Sequence, residues 1–87
     1  MKGAEMLKAI VTVMLKKGIF DPQGRAVQNG LDSIGFDKVK SVRVGKQLEI
    51  DLDMGDMASA EAAVHDMCDK MLANPVVESY SFEIKEA

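Results

Sequence analysis

The stretch DPQGRAV, residues 21–27, combines residue types that could bind an anion. Backbone amides at the start of a helix point outward, Gly24 allows close approach of a ligand, and Arg25 adds a bidentate donor. Asp21 opposes this function, because its carboxylate would itself occupy the positive end of the helix. A capped helix with an unengaged surface arginine explains the same residues equally well, so both interpretations stay open.

The histidine and the acidic residues could support acid–base or metal chemistry. His65 has an acid four residues away on either side, and Glu49, Asp51 and Asp53 share one face of a predicted strand. A metal site needs more good ligands, and alternating acids on a sheet surface are usually solvated or matched by bases of a partner. We therefore predict neither a metal site nor a catalytic residue in this chain.

The sulfur-containing residues around Cys68 could suggest soft-metal binding or a nucleophile. Met67, Cys68 and Met71 lie at the spacing of a helix face that packs into a core, and methionine commonly fills cores. No base that could activate the thiol is apparent nearby. Packing is the favoured function of all three side chains.

Composition sets the broad class of the protein. The chain has 87 residues, of which 47% are hydrophobic and 29% charged, which predicts one folded domain over residues 1–87, with residues 1–6 as a flexible lead. Fourteen acids against eleven bases, with 5% aromatic residues, argue against nucleic-acid binding. A single cysteine excludes an intrachain disulfide, and the apolar run near the start is too short to span a membrane. We expect a cytoplasmic protein.

Hydrophobic periodicity predicts the elements that position these residues. Apolar residues alternate over 7–15, which predicts a strand. Asp21 with Pro22 predicts a helix start, Val27, Leu31 and Ile34 form an apolar stripe on that helix, and Gly35 is its predicted end. Alternation on both sides of Gly45 predicts a hairpin with a three-residue loop at 45–47, or an equivalent bulge, that pairs Val44 with Leu48. A second helix, capped by Asp56 or Ser59, ends before Pro75, and a last strand follows.

This order predicts an α+β fold of the ferredoxin-like βαββαβ type. Two helices would cover one face of a four-stranded antiparallel sheet. The other sheet face would carry Ile10, Met14 and Val77 among polar residues, which suggests self-association through the sheet.

Three segments resemble the small S subunit (PurS) of phosphoribosylformylglycinamidine synthase. They are LKKGIFDPQGRAV, VRVGKQLEIDL and MLANPVVESYSFEI, in the expected order, and they span about residues 7 to 84. The resemblance implies a role in purine biosynthesis as a subunit of an ATP- and glutamine-dependent ligase complex. ATP and magnesium are expected on the large synthetase subunit, and a glutaminase subunit would release ammonia. The small subunit, a dimer or tetramer, would bridge the two and assist ammonia transfer without a catalytic group or cofactor of its own.

The matching motifs fall on loops and element ends, where recognition residues tend to lie. We hypothesise that these residues dock the partner subunits: Asp21, Pro22, Gln23, Gly24, Arg25, Gly45, Lys46, Asn74 and Pro75. The alternative is that Gly24, Gly45 and Pro75 serve backbone geometry only.

Two other functions fit the same order of elements. An ACT-like small-ligand sensor would need a glycine-rich loop after the first strand, of which Lys17-Gly18 is a poor version. An acylphosphatase-like enzyme would match only Gln23-Gly24 and a nearby arginine, and it would show turnover in the isolated protein.

Overall fold

The computed structural model describes residues 6–87. The elements are β1 (Met6–Leu15), α1 (Pro22–Ser33), β2 (Gly45–Asp53), α2 (Met57–Met67) with a π-helical turn (Cys68–Leu72), and β3 (Glu78–Glu86). Residues 1–5 of the predicted lead lie outside the described residues, and Met6 is the first residue of β1. Over the described range, no helix combines the length and the apolar character needed to cross a membrane.

The sheet has three antiparallel strands in the order β2-β1-β3. Val11, at the centre, is paired with Leu48 on one side and with Phe82 on the other. Because side chains alternate along a strand, this register gathers the apolar residues on one face. That face carries Leu7, Ala9, Val11, Val13, Leu48, Ile50, Leu52, Tyr80, Phe82 and Ile84.

Helix α2 covers the apolar face and closes the core. Its buried residues Ala60 and Val64, with Cys68 after them, are fully inaccessible to solvent. Among the described residues, every buried side chain is apolar. The packing role predicted for Met67 and Cys68 is confirmed, whereas the one predicted for Met71 is wrong, because Met71 is 83% exposed.

Local signals set the ends of α2. The Asp56 side chain accepts a hydrogen bond from the Ser59 backbone N–H at 3.1 Å, so Asp56 is the N-cap. The helix continues into the π turn, where the Ala73 N–H donates to the Cys68 carbonyl at 3.1 Å. The chain then turns away before Pro75, as the sequence predicts.

Helix α1 also begins and ends where its sequence predicts. Asp21 caps it, and Pro22 occupies the first helical position. Gly35 follows the helix with a φ of 104°, a conformation that glycine adopts at low cost.

The prediction of a four-stranded sheet is wrong. Residues 39–44 form no strand, and residues 45–47 begin β2 instead of forming a hairpin loop. Two polar side chains of α1 hold this segment: the Asp21 carboxylate accepts the Val44 N–H at 2.8 Å, and the Gln28 amide donates to the Val39 and Lys40 carbonyls at 3.3 and 3.1 Å. The segment therefore runs along α1, away from the sheet.

The prediction that both helices cover one sheet face is wrong for the same reason. Among the described residues, α2 is the helix that packs on β1 and β3. Helix α1 is instead hydrogen-bonded to residues 39–44. We call residues 16–44, which contain α1 and leave the sheet between β1 and β2, the arm.

Candidate functional site

Three connections of the chain meet at one end of the sheet. Gly45 of β2 and Glu78 of β3 are paired with Met14 and Leu15, at the end of β1. The Lys16 N–H donates to the Val77 carbonyl at 2.8 Å, and the Lys16 ammonium donates to the Pro75 carbonyl at 2.7 Å. We call the surface formed by residues 15–25, 41–46 and 74–78 the loop end.

The loop end gathers the predicted docking residues from separate parts of the sequence. Gln23, Gly45 and Lys46 line one cleft together with Glu78. Pro75 lines a second cleft, of about 280 Å³, on the α2 side. Arg25 is exposed on the first turn of α1, and Asn74 precedes Pro75 in the loop before β3. Of the nine predicted residues, five line the clefts of this surface: Asp21, Gln23, Gly45, Lys46 and Pro75.

The largest cleft of the loop end, about 560 Å³, is mostly apolar with a basic rim. Its lining includes Leu15, Ile19, Phe20 and Val42, and its cations are Lys16, Lys17 and Arg43. The Arg43 guanidinium donates to the Leu15 carbonyl at 2.5 Å, so it fixes residues 41–43 against the end of β1. Such a surface suits an apolar partner segment with acidic neighbours.

Asp21 is the central polar group of the loop end. One carboxylate oxygen accepts the Gly24 N–H at 2.8 Å, and the other accepts the Val44 N–H at 2.8 Å. The hydrogen bond from Gly24, followed by that from Val44, lowers the pKa of Asp21 below its ordinary value. Because Asp21 already occupies the start of α1, this position favours the capped helix over an anion site.

The pH dependence of this contact can be predicted from the direction of the pKa shift. A lowered pKa means that the carboxylate stabilises the folded state fully above the ordinary value of 3.8, and that this contribution is lost as the pH falls through the lower pKa of the folded state. We expect the Val44 amide resonance to titrate below pH 3.8 in an NMR series. In Asp21→Asn the Val44 amide should exchange faster with solvent already at pH 7. Equal exchange rates in the two proteins would show that Asp21 does not hold this segment.

Two glycines at the loop end allow close backbone approach. A Cβ atom at Gly24 would overlap the Val42 carbonyl oxygen, and one at Gly45 would lie 2.6 Å from the Val13 carbonyl oxygen. Both glycines are therefore required by backbone geometry, whether or not they also contact a partner.

Lys16, Arg43 and Glu78 also belong to this surface, although the sequence did not predict them. Each bonds to a backbone group of another segment: Lys16 and Arg43 as above, and Glu78 by accepting the Asn74 N–H at 2.7 Å. The one available signal was the position of Lys16 and Glu78 at strand ends. Their partners depend on the sheet register, which the sequence does not reveal residue by residue.

The predicted helix face around His65 forms a small cluster beside the loop end, since Asp69 and Tyr80 line the same cleft as Pro75. His65 Nδ1 lies 3.2 Å from an Asp69 oxygen, and the Tyr80 hydroxyl donates to the other Asp69 oxygen at 3.0 Å. Burial, followed by the hydrogen bond to Asp69, raises the pKa of Tyr80. Burial likewise raises the pKa of the Cys68 thiol, which makes it a poor nucleophile.

Comparison with known proteins connects this geometry to one family. A family model described as PurS, phosphoribosylformylglycinamidine (FGAM) synthase, matches residues 8–86. The chain is 46% identical over 74 residues to a phosphoribosylformylglycinamidine synthase subunit PurS of Synechocystis, which covers 85% of this chain and 74% of the relative.

Solved structures agree with the sequence relatives. A PurS structure from Thermus thermophilus is 44% identical, with a TM-score of 0.82, covering 94% of this chain and 98% of that one. A chain in the structure of PurLQS from Thermotoga maritima is 26% identical, with a TM-score of 0.83, covering 92% of this chain and 98% of that one.

Proposed function

The chain belongs to the PurS family of phosphoribosylformylglycinamidine (FGAM) synthase subunits, and we propose that it serves as a noncatalytic bridge within that complex. It is a subunit of FGAM synthase, a ligase of purine biosynthesis. The observation that carries the proposal is the meeting of the family-like motifs at the loop end. Surfaces built from several connections of the chain commonly carry recognition residues.

The chemistry of the loop end supports a bridging function over a catalytic one. Three of its charged groups, Lys16, Asp21 and Arg43, are bonded to backbone atoms and so hold the shape of the surface. In the proposed complex, the large synthetase subunit binds ATP and magnesium, and a glutaminase subunit supplies ammonia. This chain needs no cofactor, because it positions the two subunits for ammonia transfer.

Self-association is part of the same proposal. The outer face of the sheet presents Ile10 and Met14, both half-buried, among polar side chains. Two or four copies could pair through this face, which would give a symmetric bridge. We place the protein in the cytoplasm, in keeping with its biosynthetic role and free Cys68. Neither nucleic acid nor a membrane is a proposed partner.

The family match over residues 8–86 favours this function over the two alternatives considered from the sequence. An ACT-like sensor and an acylphosphatase-like enzyme share only the approximate order of elements. Neither accounts for the three ordered motifs.

Reconstitution of the synthase tests the bridge directly. Purified synthetase and glutaminase subunits are assayed with and without this chain, first with glutamine and then with ammonia as nitrogen donor. We expect omission of the chain to lower the glutamine-dependent rate at least tenfold, because ammonia must pass between subunits, and to change the ammonia-dependent rate less than twofold. If omission of the chain changes neither the glutamine-dependent rate nor the ammonia-dependent rate, the proposed function is wrong.

Single substitutions at the loop end test the docking residues. Arg25→Ala and Lys46→Ala should each weaken assembly with the two partner subunits about tenfold, which corresponds to about 1.4 kcal/mol. Both side chains are exposed, so the melting temperature should stay nearly constant. Lys85→Ala, near the opposite end of β3, is the matched control. Assembly that is equally tight in all three variants would contradict the assignment of these two residues.

A further inference from the structure

The π-helical turn at the end of α2 moves one large apolar side chain out of the core. In a continued α-helix, Met71 would follow Val64 and Cys68 on the buried face, because residues three and four apart share one side of a helix. The wider turn instead brings Ala73, five residues after Cys68, to 8% exposure and leaves Met71 83% exposed. π-helical turns of this kind are frequent at functional sites.

A second apolar side chain is exposed in the connection from α2 to β3. Val76 is 77% exposed, and its N–H donates to the Asn74 side chain at 3.0 Å, so a tight turn holds it in place. It directly follows Pro75, which is exposed and lines the cleft on the α2 side of the loop end. Large apolar side chains exposed within one short segment are typical of an interaction surface. We call Met71, Pro75 and Val76 the apolar rim.

The cleft beside the apolar rim has the size and the lining to receive one long basic side chain. Its volume is about 280 Å³, somewhat below the roughly 300–1,000 Å³ of small-molecule pockets. Asp69, Glu78 and Tyr80 line it, together with the buried Cys68 and Ala73. A guanidinium group is bound favourably both by carboxylates and by an aromatic ring.

The acidic groups of this cleft are already oriented. The Tyr80 hydroxyl donates to one Asp69 oxygen at 3.0 Å, and His65 Nδ1 lies 3.2 Å from the other. The Asn74 N–H donates to a Glu78 oxygen at 2.7 Å. A carboxylate has about four lone-pair sites, so each retains the capacity to accept a further donor.

Charge favours a basic occupant on this side of the chain. Lys16 also lines the cleft, but its ammonium is bonded to the Pro75 carbonyl at 2.7 Å, and the lining contains two carboxylates. Residues 56–87, which include α2 and β3, have seven acidic residues and two lysines, whereas residues 1–55 have seven acidic and nine basic residues. Opposite charges steer association and select among partners.

We propose that the cleft lined by Asp69, Glu78 and Tyr80 receives an arginine side chain of one partner subunit, with the apolar rim packed around it. The planar guanidinium suits two carboxylates and an aromatic ring better than a lysine ammonium does. This contact rests on the proposed bridging function, and it supplies the second of the two contacts that a bridge requires. The largest cleft, with its basic rim, suits an acidic segment, so the two clefts select different partners. None of the contact residues belongs to the arm.

Binding of full-length variants to each purified partner subunit, measured separately by isothermal titration calorimetry, tests the contact. Met71→Lys should weaken binding to one subunit at least tenfold and leave binding to the other within twofold, because it replaces an apolar contact with a charge that repels the arginine. Met57→Lys, at the other end of α2 and 41% exposed, is the matched control and should bind both subunits like the parent. Unchanged binding of Met71→Lys to both subunits, or an equal loss for both, would overturn the proposal.

Removal of one charge tests the arginine anchor. Asp69→Asn keeps an oxygen that can accept the Tyr80 hydroxyl and loses the negative charge. We expect it to weaken binding to the same subunit about tenfold and to flatten the dependence of that affinity on sodium chloride, because salt screens the lost attraction. Glu61→Gln, at an exposed position of the same helix, should change neither quantity. A salt dependence equal to that of the parent in Asp69→Asn would overturn the ionic contact, since a purely structural role would leave it unchanged.

The bridge and this contact can fail separately. If Met71→Lys binds both subunits like the parent while Arg25→Ala and Lys46→Ala lose assembly, the bridge stands and this contact is wrong. If the parent chain binds neither subunit, the bridge itself is wrong, and the contact with it.

Discussion

Replacing Gly24 with alanine is expected to destabilise the protein by about 3 kcal/mol, the upper part of the usual range for forced overpacking. The added methyl group would overlap the carbonyl oxygen of Val42 and would lie 2.8 Å from an Asp21 oxygen. A carbonyl oxygen of the main chain cannot rotate away as a flexible side chain can. Either the first turn of α1 or residues 39–44 must therefore shift, and the hydrogen bonds at Asp21 are lost with that movement.

Gly30→Ala is the matched control, since Gly30 lies on the same helix and a Cβ there would meet no atom within 4 Å. Alanine at that position should stabilise the helix by about 0.5–1 kcal/mol, because glycine loses more backbone entropy on folding. Urea denaturation of both variants measures the two free energies of unfolding. A Gly24→Ala protein as stable as the parent would show that α1 and residues 39–44 are not in close contact.

Placing an aspartate at Val64 should remove a large part of the protein's stability. Val64 is fully buried in a core that, among the described residues, contains only apolar side chains. A carboxyl group there would find no partner, and its burial would cost on the order of 5 kcal/mol. A domain of 87 residues typically has roughly 4–13 kcal/mol of stability, so the loss would range from about two fifths of it to all of it.

Circular dichroism and proton NMR measure this effect at 25 °C. Val76→Asp makes the same chemical change at a position that is 77% exposed, and it should leave the spectra and the melting temperature nearly unchanged. A Val64→Asp protein with the melting temperature of the parent would contradict the position of α2 over the sheet.

Local signals were sufficient for most of the individual elements. The caps at Asp21 and Asp56 and the stop at Gly35 depend on groups a few residues away, and all three are confirmed. The alternation of apolar residues correctly predicted β1 and β3, since each has one face against the core.

The fourth strand could not have been rejected from the sequence. Val42 and Val44 alternate as strand residues do, but the Val44 N–H bonds to Asp21, 23 residues earlier. Periodicity describes which side chains share a face, and it does not say which chain or which edge supplies the hydrogen bonds. The apolar stripe of α1 raised the same difficulty, because a stripe is compatible with any apolar surface.

The sequence could name candidate docking residues but not their arrangement. The motifs placed nine candidates on loops and element ends, and their role in docking a partner stays a prediction. Their proximity follows from the pairing of β1 with both β2 and β3, which is a long-range property of the fold.

The central position of β1 also determines when this protein can fold during its synthesis. The strand made first lies in the middle of the sheet, and its second neighbour is made last: Leu7 is paired with Glu86. A nascent chain therefore exposes an apolar strand with an open edge until translation reaches β3. The sheet can therefore close only after β3 has been made, and its formation is limited by the closure of a long loop. Holdase chaperones that recognise extended apolar segments should accordingly bind ribosome-attached chains that stop before residue 78 more strongly than the released protein.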